Sequence, residues 1–221
     1  GRRVEALEQV ASSRPGIHAL PLDISDAADI AAFAQRIVTE HPALNVVINT
    51  AGIMRFEALD QTRDLSDAEA TITTNLLGPI RLADALIEHL LARPDAVLIN
   101  VSSGIAFVPL AATPTYSATK AAIHSYTVSL REVLKGKVEV IELVPPAVQT
   151  DLTPGQATHE GYLPLADFMD EVTALFQQQP TPREILVQRV AFQRNAEAEH
   201  RFDEAVTILN DAARKAREEQ R

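Results

Sequence analysis

The run Val46-Val47-Ile48 is continuously apolar and sits between two helical stretches. Strands that are apolar without alternation are buried on both faces, which is their situation in a parallel sheet covered by helices. The unit recurs along the chain. Ile30, Phe33, Ala34, Ile37 and Val38 keep helical spacing and predict a helix to about Glu40, with Ser25 or Asp26 as its N-cap. Ser66 to about Leu91 predicts a long helix interrupted near Gly78-Pro79, Ala96 to Val101 a strand, Thr115 to Leu134 a helix and Val138 to Val144 a strand. Before these, Val4 to Ala11 suits a short helix closed by the breaker Ser12 to Gly16, and Ile17 to Leu22 a short strand. This alternation defines an α/β fold with a doubly wound parallel sheet, whose ligand crevice lies at the carboxyl ends of the strands. The informative residues fall at those ends: Asp23, then Asn49-Thr50-Ala51-Gly52, then Ser102-Ser103-Gly104, then Pro145-Pro146.

Beyond Thr150 the alternation stops. Asp151 to Gly161 is rich in Thr, Pro, Gly and Gln and reads as a loop, and Leu163 to Phe176 as a short amphipathic helix. Residues 151–179 are therefore placed to act as a substrate loop or lid after a strand end. Pro180 to Arg183 breaks the chain, Glu184 to Val187 suits a short strand or a helix start, and Val190 to Arg221 reads as largely helical, ending in a charged, solvated tail from Asp211. With 221 residues and a 46% hydrophobic fraction the chain suffices for one core, so residues 1–221 read as a single domain. No apolar run approaches the ~20 residues that span a bilayer, so no membrane span is expected. A net charge of −10 argues against attraction to nucleic acid or anionic lipid. The absence of cysteine excludes disulfides and thiolate sites and suits a cytoplasmic protein. His18, His41, His89, His124, His159 and His200 show no ligand spacing, so no metal site is expected.

Candidate chemistry concentrates between Val101 and Leu130. Tyr116 and Lys120, four positions apart, share one face of the predicted helix. An ammonium beside a phenol favours the phenolate and lowers the phenol pKa from ~10, which makes Tyr116 a candidate general acid/base. A serine from Ser102-Ser103, at the end of the preceding strand, is placed to meet the same substrate oxygen.

Taken together these residues resemble the short-chain dehydrogenase/reductase family, and the resemblance runs from Gly1 to about Leu152. Tyr-x-x-x-Lys is a weak motif alone, and the order and spacing of its neighbours carry the likeness. The family places a serine thirteen residues before the tyrosine, which here is Ser103. An asparagine from the preceding long helix is matched by Asn75 in T-T-N-L-L-G-P, and the family's N-N-A-G element by Asn49-Thr50-Ala51-Gly52, with Thr in place of the second Asn. Asp23 in L-D-I-S matches an acidic residue that meets the adenine amino group, with Ile24 beside it. The segments P-P-A-V-Q-T-D-L and I-L-V-Q-R-V-A-F-Q-R-N-A-E are similar to the DltE-like branch of bacterial oxidoreductases.

The resemblance implies hydride transfer between NADP(H), or NAD(H) as the alternative, and a small carbonyl or secondary alcohol. Tyr116 would move the proton, Ser103 polarise the substrate oxygen, Lys120 hold the nicotinamide ribose, and Asn75 support a water-linked proton route. Each residue has a plainer role open to it. Asp23 suits a helix cap, Asn75 the kink at Gly78-Pro79, and Asn49 a tie between strands. Cofactor contacts are implied for Asn49, Ala51, Gly52, Tyr116 and Lys120, and for Val148 and Thr150 after a strand where Pro145-Pro146 replaces the family's Pro-Gly. Arg2, and Arg3 after it, are candidates for a 2′-phosphate, hence the preference for NADP. The family's first strands and Gly-rich phosphate turn would precede Gly1, so the resemblance implies a segment of a longer protein, one that forms a homodimer or homotetramer through its long helices. A non-catalytic, nucleotide-sensing or scaffolding role is the alternative.

Overall fold

Parallel strands with intervening helices organise the chain as the alternation predicts. The computed structural model describes residues 1–218, so the last three residues of the expected tail lie outside them. Among the described residues four strands pair in chain order: β1 (Val46–Asn49), β2 (Val97–Val101), β3 (Glu139–Val144) and β4 (Glu184–Leu186), every pair parallel. The helices are α1 (Val4–Ser13), α2 (Ala27–Glu40), α3 (Ser66–Ile72), α4 (Gly78–Leu91), α5 (Pro114–Val133), α6 (Leu165–Phe176), α7 (Ala191–Arg194) and α8 (Phe202–Glu218).

Strand alternation decides which core each side chain joins. Val47, Leu98 and Val140 face one side and pack with Ile30, Ala34, Leu82, Leu86 and Leu90 of α2 and α4, and with Leu134 after α5. Ile99 and Ile141 face the other side and meet Phe168 and Val172 of α6 with Ile185 of β4. Helices therefore flank the sheet on both sides. α2 starts at Asp26, whose carboxylate accepts from the N–H groups of Ala28 and Asp29 at 2.7 and 3.3 Å, satisfying two donors of the first turn.

Three expectations are corrected. Residues 17–22 are not a strand: Leu22 donates to the carbonyl of Gly1 at 3.0 Å, and with no ladder the segment is an extended loop whose Leu22 and neighbouring Ile24 pack on the first core. β1 is apolar from Val46 to Ile48 but covered on one face, because α6 reaches the sheet opposite β2 to β4. Val46 and Ile48 are accordingly 42% and 52% exposed. The helical run expected from Val190 onward is broken at residues 195–201, where Arg201 donates back to the carbonyl of Ala196 at 2.9 Å and His200 takes a positive φ of 55°. No helix among the described residues is long and apolar enough to cross a membrane.

Candidate active site

The break predicted near Gly78-Pro79 is a π-turn, Thr73–Leu77, joining α3 to α4. Gly78 N–H donates to the carbonyl of Thr73, an i to i+5 bond that widens the helix by one residue just before the proline. The widened turn directs Asn75 inward, where it is 1% exposed. Its Oδ1 accepts from Ile53 N–H at 2.8 Å and its Nδ2 donates to Ile53 O at 2.8 Å, so Asn75 clamps the loop after β1 much as a paired strand would. The same amide lies 3.5 Å from Thr119 Oγ1 on α5.

Tyr116 occupies the first turn of α5 and Lys120 the next, and they are 7% and 5% exposed. Lys120 Nζ donates to the carbonyl of Val101 at the end of β2, at 2.8 Å, and lies 5.5 Å from the centre of the Tyr116 ring. The expected depression of the phenol pKa is reversed here. Burial pushes Tyr116 up to about 12 and pushes Lys120 down to about 8. Desolvation penalises both charged forms, and an ammonium already committed to a carbonyl does not offset it. The Tyr116 phenol therefore stays neutral at neutral pH.

A cleft of about 480 Å³ opens beyond β1. Arg2, Asp23, Ile24, Asn49, Ala51 and Gly52 all line it, so folding gathers six of the residues nominated for cofactor contact. Gly52 connects this cleft to the tyrosine helix. A Cβ on Gly52 would lie 3.4 Å from Asn75 Oδ1 and 4.0 Å from Lys120 Nζ, so a glycine leaves the approach between them open. Asn49 Nδ2 donates to Asn100 Oδ1 at 2.8 Å, the strand tie considered above, and its own Oδ1 is buried without a partner. Small residues with an orphaned buried acceptor at a strand's carboxyl end fit a nucleotide. Asp23 is not the cap of α2. Its Oδ1 accepts from the backbone and hydroxyl of Ser25 at 3.0 and 2.6 Å, and Arg2 lies 3.8 Å from its Oδ2. The Ser25 hydrogen bonds, with smaller help from Arg2, hold its carboxyl below the ordinary range against a small cost of burial. Arg3 is exposed at the start of α1 and does not line the cleft.

Val148 and Thr150 lie away from that cleft. Val148 is buried in the second core and bridges to Leu163, and its carbonyl accepts from Gln156 Nε2 at 2.8 Å. The same amide donates to Thr150 Oγ1 at 3.0 Å, while Thr153 Oγ1 donates to Gln156 Oε1 at 2.9 Å. Buried Gln156 thus organises the loop, and nothing in the Thr/Pro/Gly/Gln composition singled it out. Of the serine pair, Ser102 is buried with its hydroxyl unpartnered, and half-buried Ser103 accepts from Ile105 N–H at 3.4 Å. A second cavity, of about 200 Å³, gathers Met54, Phe56, Leu110 and Tyr162, with Ala213 and Ala216 of α8 as a wall that sequence reading missed. Val108 and Phe168 are buried in cores and do not line it.

Folding also revises the reading of the histidines. Asn49, Asn100, Glu142 and Glu184 stand in one register across all four strands, and His124 of α5 meets the row. The candidate ligand atoms of His124, Glu142 and Glu184 lie within 4.8 Å of one another, an arrangement no chain spacing revealed. Arg194 already supplies a cation there, bonding both oxygens of Glu184 at 2.7 and 2.9 Å.

A parallel sheet flanked by helices, with its small and polar residues at the strand carboxyl ends, defines a doubly wound α/β class of protein. The family model of the short chain dehydrogenases matches residues 1–161, and the chain belongs to that family. A Bacillus subtilis relative, the uncharacterized oxidoreductase DltE, is 36% identical over 163 residues, which is 73% of this chain and 65% of that one. The chain thus spans just under two thirds of that relative's length. The NADPH-dependent 1-acyldihydroxyacetone phosphate reductase of Schizosaccharomyces pombe is 30% identical over 154 residues, covering 68% of this chain and 50% of that one. A short-chain dehydrogenase from Streptomyces avermitilis superposes with a TM-score of 0.78 at 22% identity, covering 98% and 88% of the two chains. One from Burkholderia cenocepacia, solved in complex with NADP, gives 0.75 at 22% identity, covering 90% and 81%.

Proposed function

We propose that the protein transfers a hydride between NADP(H) and a small carbonyl or secondary alcohol, with Tyr116 as general acid/base. The observation that carries this reading is the meeting of Gly52, Asn75 and Lys120, which joins the 480 Å³ cleft to the tyrosine helix. Bound in that cleft, the nicotinamide supplies or accepts the hydride. Arg2 and Asp23 would meet the adenosine end, with Arg2 favouring a 2′-phosphate, and Ile24, Asn49, Ala51 and Gly52 would line its course. NADPH dependence in the name of the Schizosaccharomyces pombe relative supports the phosphorylated dinucleotide, with NAD(H) the alternative. Lys120 would hold the ribose hydroxyls, and Asn75 the loop beside them. Val148 and Thr150 would need a shift of the Gln156-bonded loop to contribute. Ser103 would orient the substrate oxygen toward Tyr116. A phenol kept neutral by burial is the form that protonates a carbonyl in the reductive direction, and its phenolate is the form that takes the proton in the oxidative one.

Met54, Phe56 and Leu110 make the substrate cavity largely apolar, and its size favours a small substrate. Exposed Ile72, Leu77, Leu91, Val128 and Val133, on or beside the long helices, support self-association as a dimer or tetramer. The test is NADPH oxidation by the full-length protein over a panel of ketones and aldehydes. Tyr116→Phe is expected to lower the rate by about 10²-fold or more while NADPH still binds. Equal rates for the two proteins would remove the mechanism, and NADPH binding without turnover of any substrate would favour a nucleotide-sensing role.

A further inference from the structure

Helix α5 lacks a cap of its own. Thr113 stands at the capping position, yet its side chain makes no capping bond and its hydroxyl is buried without a partner. The orphan donors of the first turn would then go unpaired beside Tyr116, at a cost of about 1 kcal/mol or more. Glu57, which lies in the irregular chain between β1 and α3, supplies what is missing. Its Oε1 accepts from Thr115 N–H at 3.0 Å and its Oε2 from Thr115 Oγ1 at 2.8 Å. Arg63 donates to the same Oε2, and the Glu57 N–H donates to Ala112 O at 3.0 Å.

The Glu57 side chain is 3% exposed. Burial raises its pKa, but the bonds from Thr115 and Arg63 outweigh that and hold the carboxyl below its ordinary value. A buried anion at a helix N-terminus, neutralised by one arginine, is a device for fixing position, and it suits the helix dipole. The loop it fastens carries Met54 and Phe56, two walls of the substrate cavity, and the helix it caps presents Tyr116 in the very next position.

We propose that Glu57 is a positioning residue for proton transfer: it caps α5 from the neighbouring loop and thereby sets Tyr116 against the wall formed by Met54 and Phe56. The inference rests on the acid/base role of Tyr116 proposed above. Misplacement of a reacting group by about 1 Å costs roughly 10²-fold in rate. In the full-length protein, with NADPH and whichever carbonyl of the panel is turned over, Glu57→Ala should lower kcat by about 10- to 100-fold. The Kd for NADPH, followed by its fluorescence, should stay within about twofold, because Glu57 lies outside the cofactor cleft. Glu57→Gln keeps one acceptor for Thr115 and should fall between Glu57→Ala and the wild type.

A role through Tyr116 makes a further demand. In a Tyr116→Phe background, Glu57→Ala should change the residual rate by less than about twofold, since the group it positions is gone. A folded Glu57→Ala enzyme with wild-type kcat would overturn the proposal. So would an equal loss in the Tyr116→Phe background, or a loss of kcat matched by a loss of NADPH affinity. If Glu57→Ala does not fold, Thr115→Val and Glu57→Gln carry the same comparison, each with an expected loss of about three- to tenfold, and wild-type kcat in both would overturn it. A wild-type rate in Tyr116→Phe alone would instead remove the acid/base reading, so the two failures are distinct.

Discussion

Tyr116 and Lys120 are the pair on which sequence and structure disagree most usefully. Four-residue spacing on one helical face was legible in the chain, and it correctly put both on the same side of α5. What spacing does not contain is solvent. Both groups are more than nine-tenths buried, and the desolvation cost overrides their mutual influence at 5.5 Å. The sign of the resulting pH dependence is fixed. Lys120 is lowered from 10.5 to about 8 in the folded protein, so between those values the unfolded chain binds a proton that the folded one does not, and stability rises with pH. Tyr116, raised from 10.0 to about 12, acts the other way and erodes stability above about pH 10. Urea denaturation at pH 7.5, 8.5 and 9.5 should therefore show wild type gaining on Lys120→Met by about 1 kcal/mol or more across the series. A constant difference would mean that Lys120 titrates normally.

Between α3 and α4 the chain makes a contact that no propensity scale contains. Gly-to-Ala inside a helix ordinarily stabilises by about 0.5–1 kcal/mol. At Gly78, however, a Cβ would sit 2.5 Å from the carbonyl oxygen of Ile24 and 2.7 Å from its Cγ1. The first is backbone and cannot turn aside, so overpacking of about 1–3 kcal/mol outweighs the propensity gain. Gly78→Ala is expected to lower the urea midpoint, and a raised midpoint would show that residues 23–25 yield to the α4 turn. Helix boundaries themselves were readable to within a few residues, because apolar periodicity and the capping Asp26 mark them locally. The π-turn was not, since Gly78-Pro79 marks a disturbance in the helix without saying that Asn75 turns inward to grip Ile53.

Across the molecule, the proposed substrate cavity depends on segments more than 150 residues apart. Asn210 of α8 accepts from Ala111 N–H at 2.7 Å and donates to Pro109 O at 3.1 Å, fastening the last helix over the loop that precedes α5. Ala213 then lines the cavity together with Met54 and Phe56. Ala213→Leu should narrow the roughly 200 Å³ cavity and lower kcat/KM for the longer ketones of the panel by about tenfold, while acetone-sized substrates change little. Equal effects on all lengths would place the substrate elsewhere. The α/β alternation, the parallel strands, the cap of α2 and the Tyr116/Lys120 spacing were all written in the sequence, because hydrophobic period and capping chemistry act over a few neighbouring residues. Other features were set by tertiary packing alone: the one-sided cover of β1, the polar row from Asn49 to Glu184, the Gln156-centred loop and the cap that Glu57 provides. Each joins side chains far apart in the chain, and burial and hydrogen-bond partners of that kind exist only once the elements have been brought together.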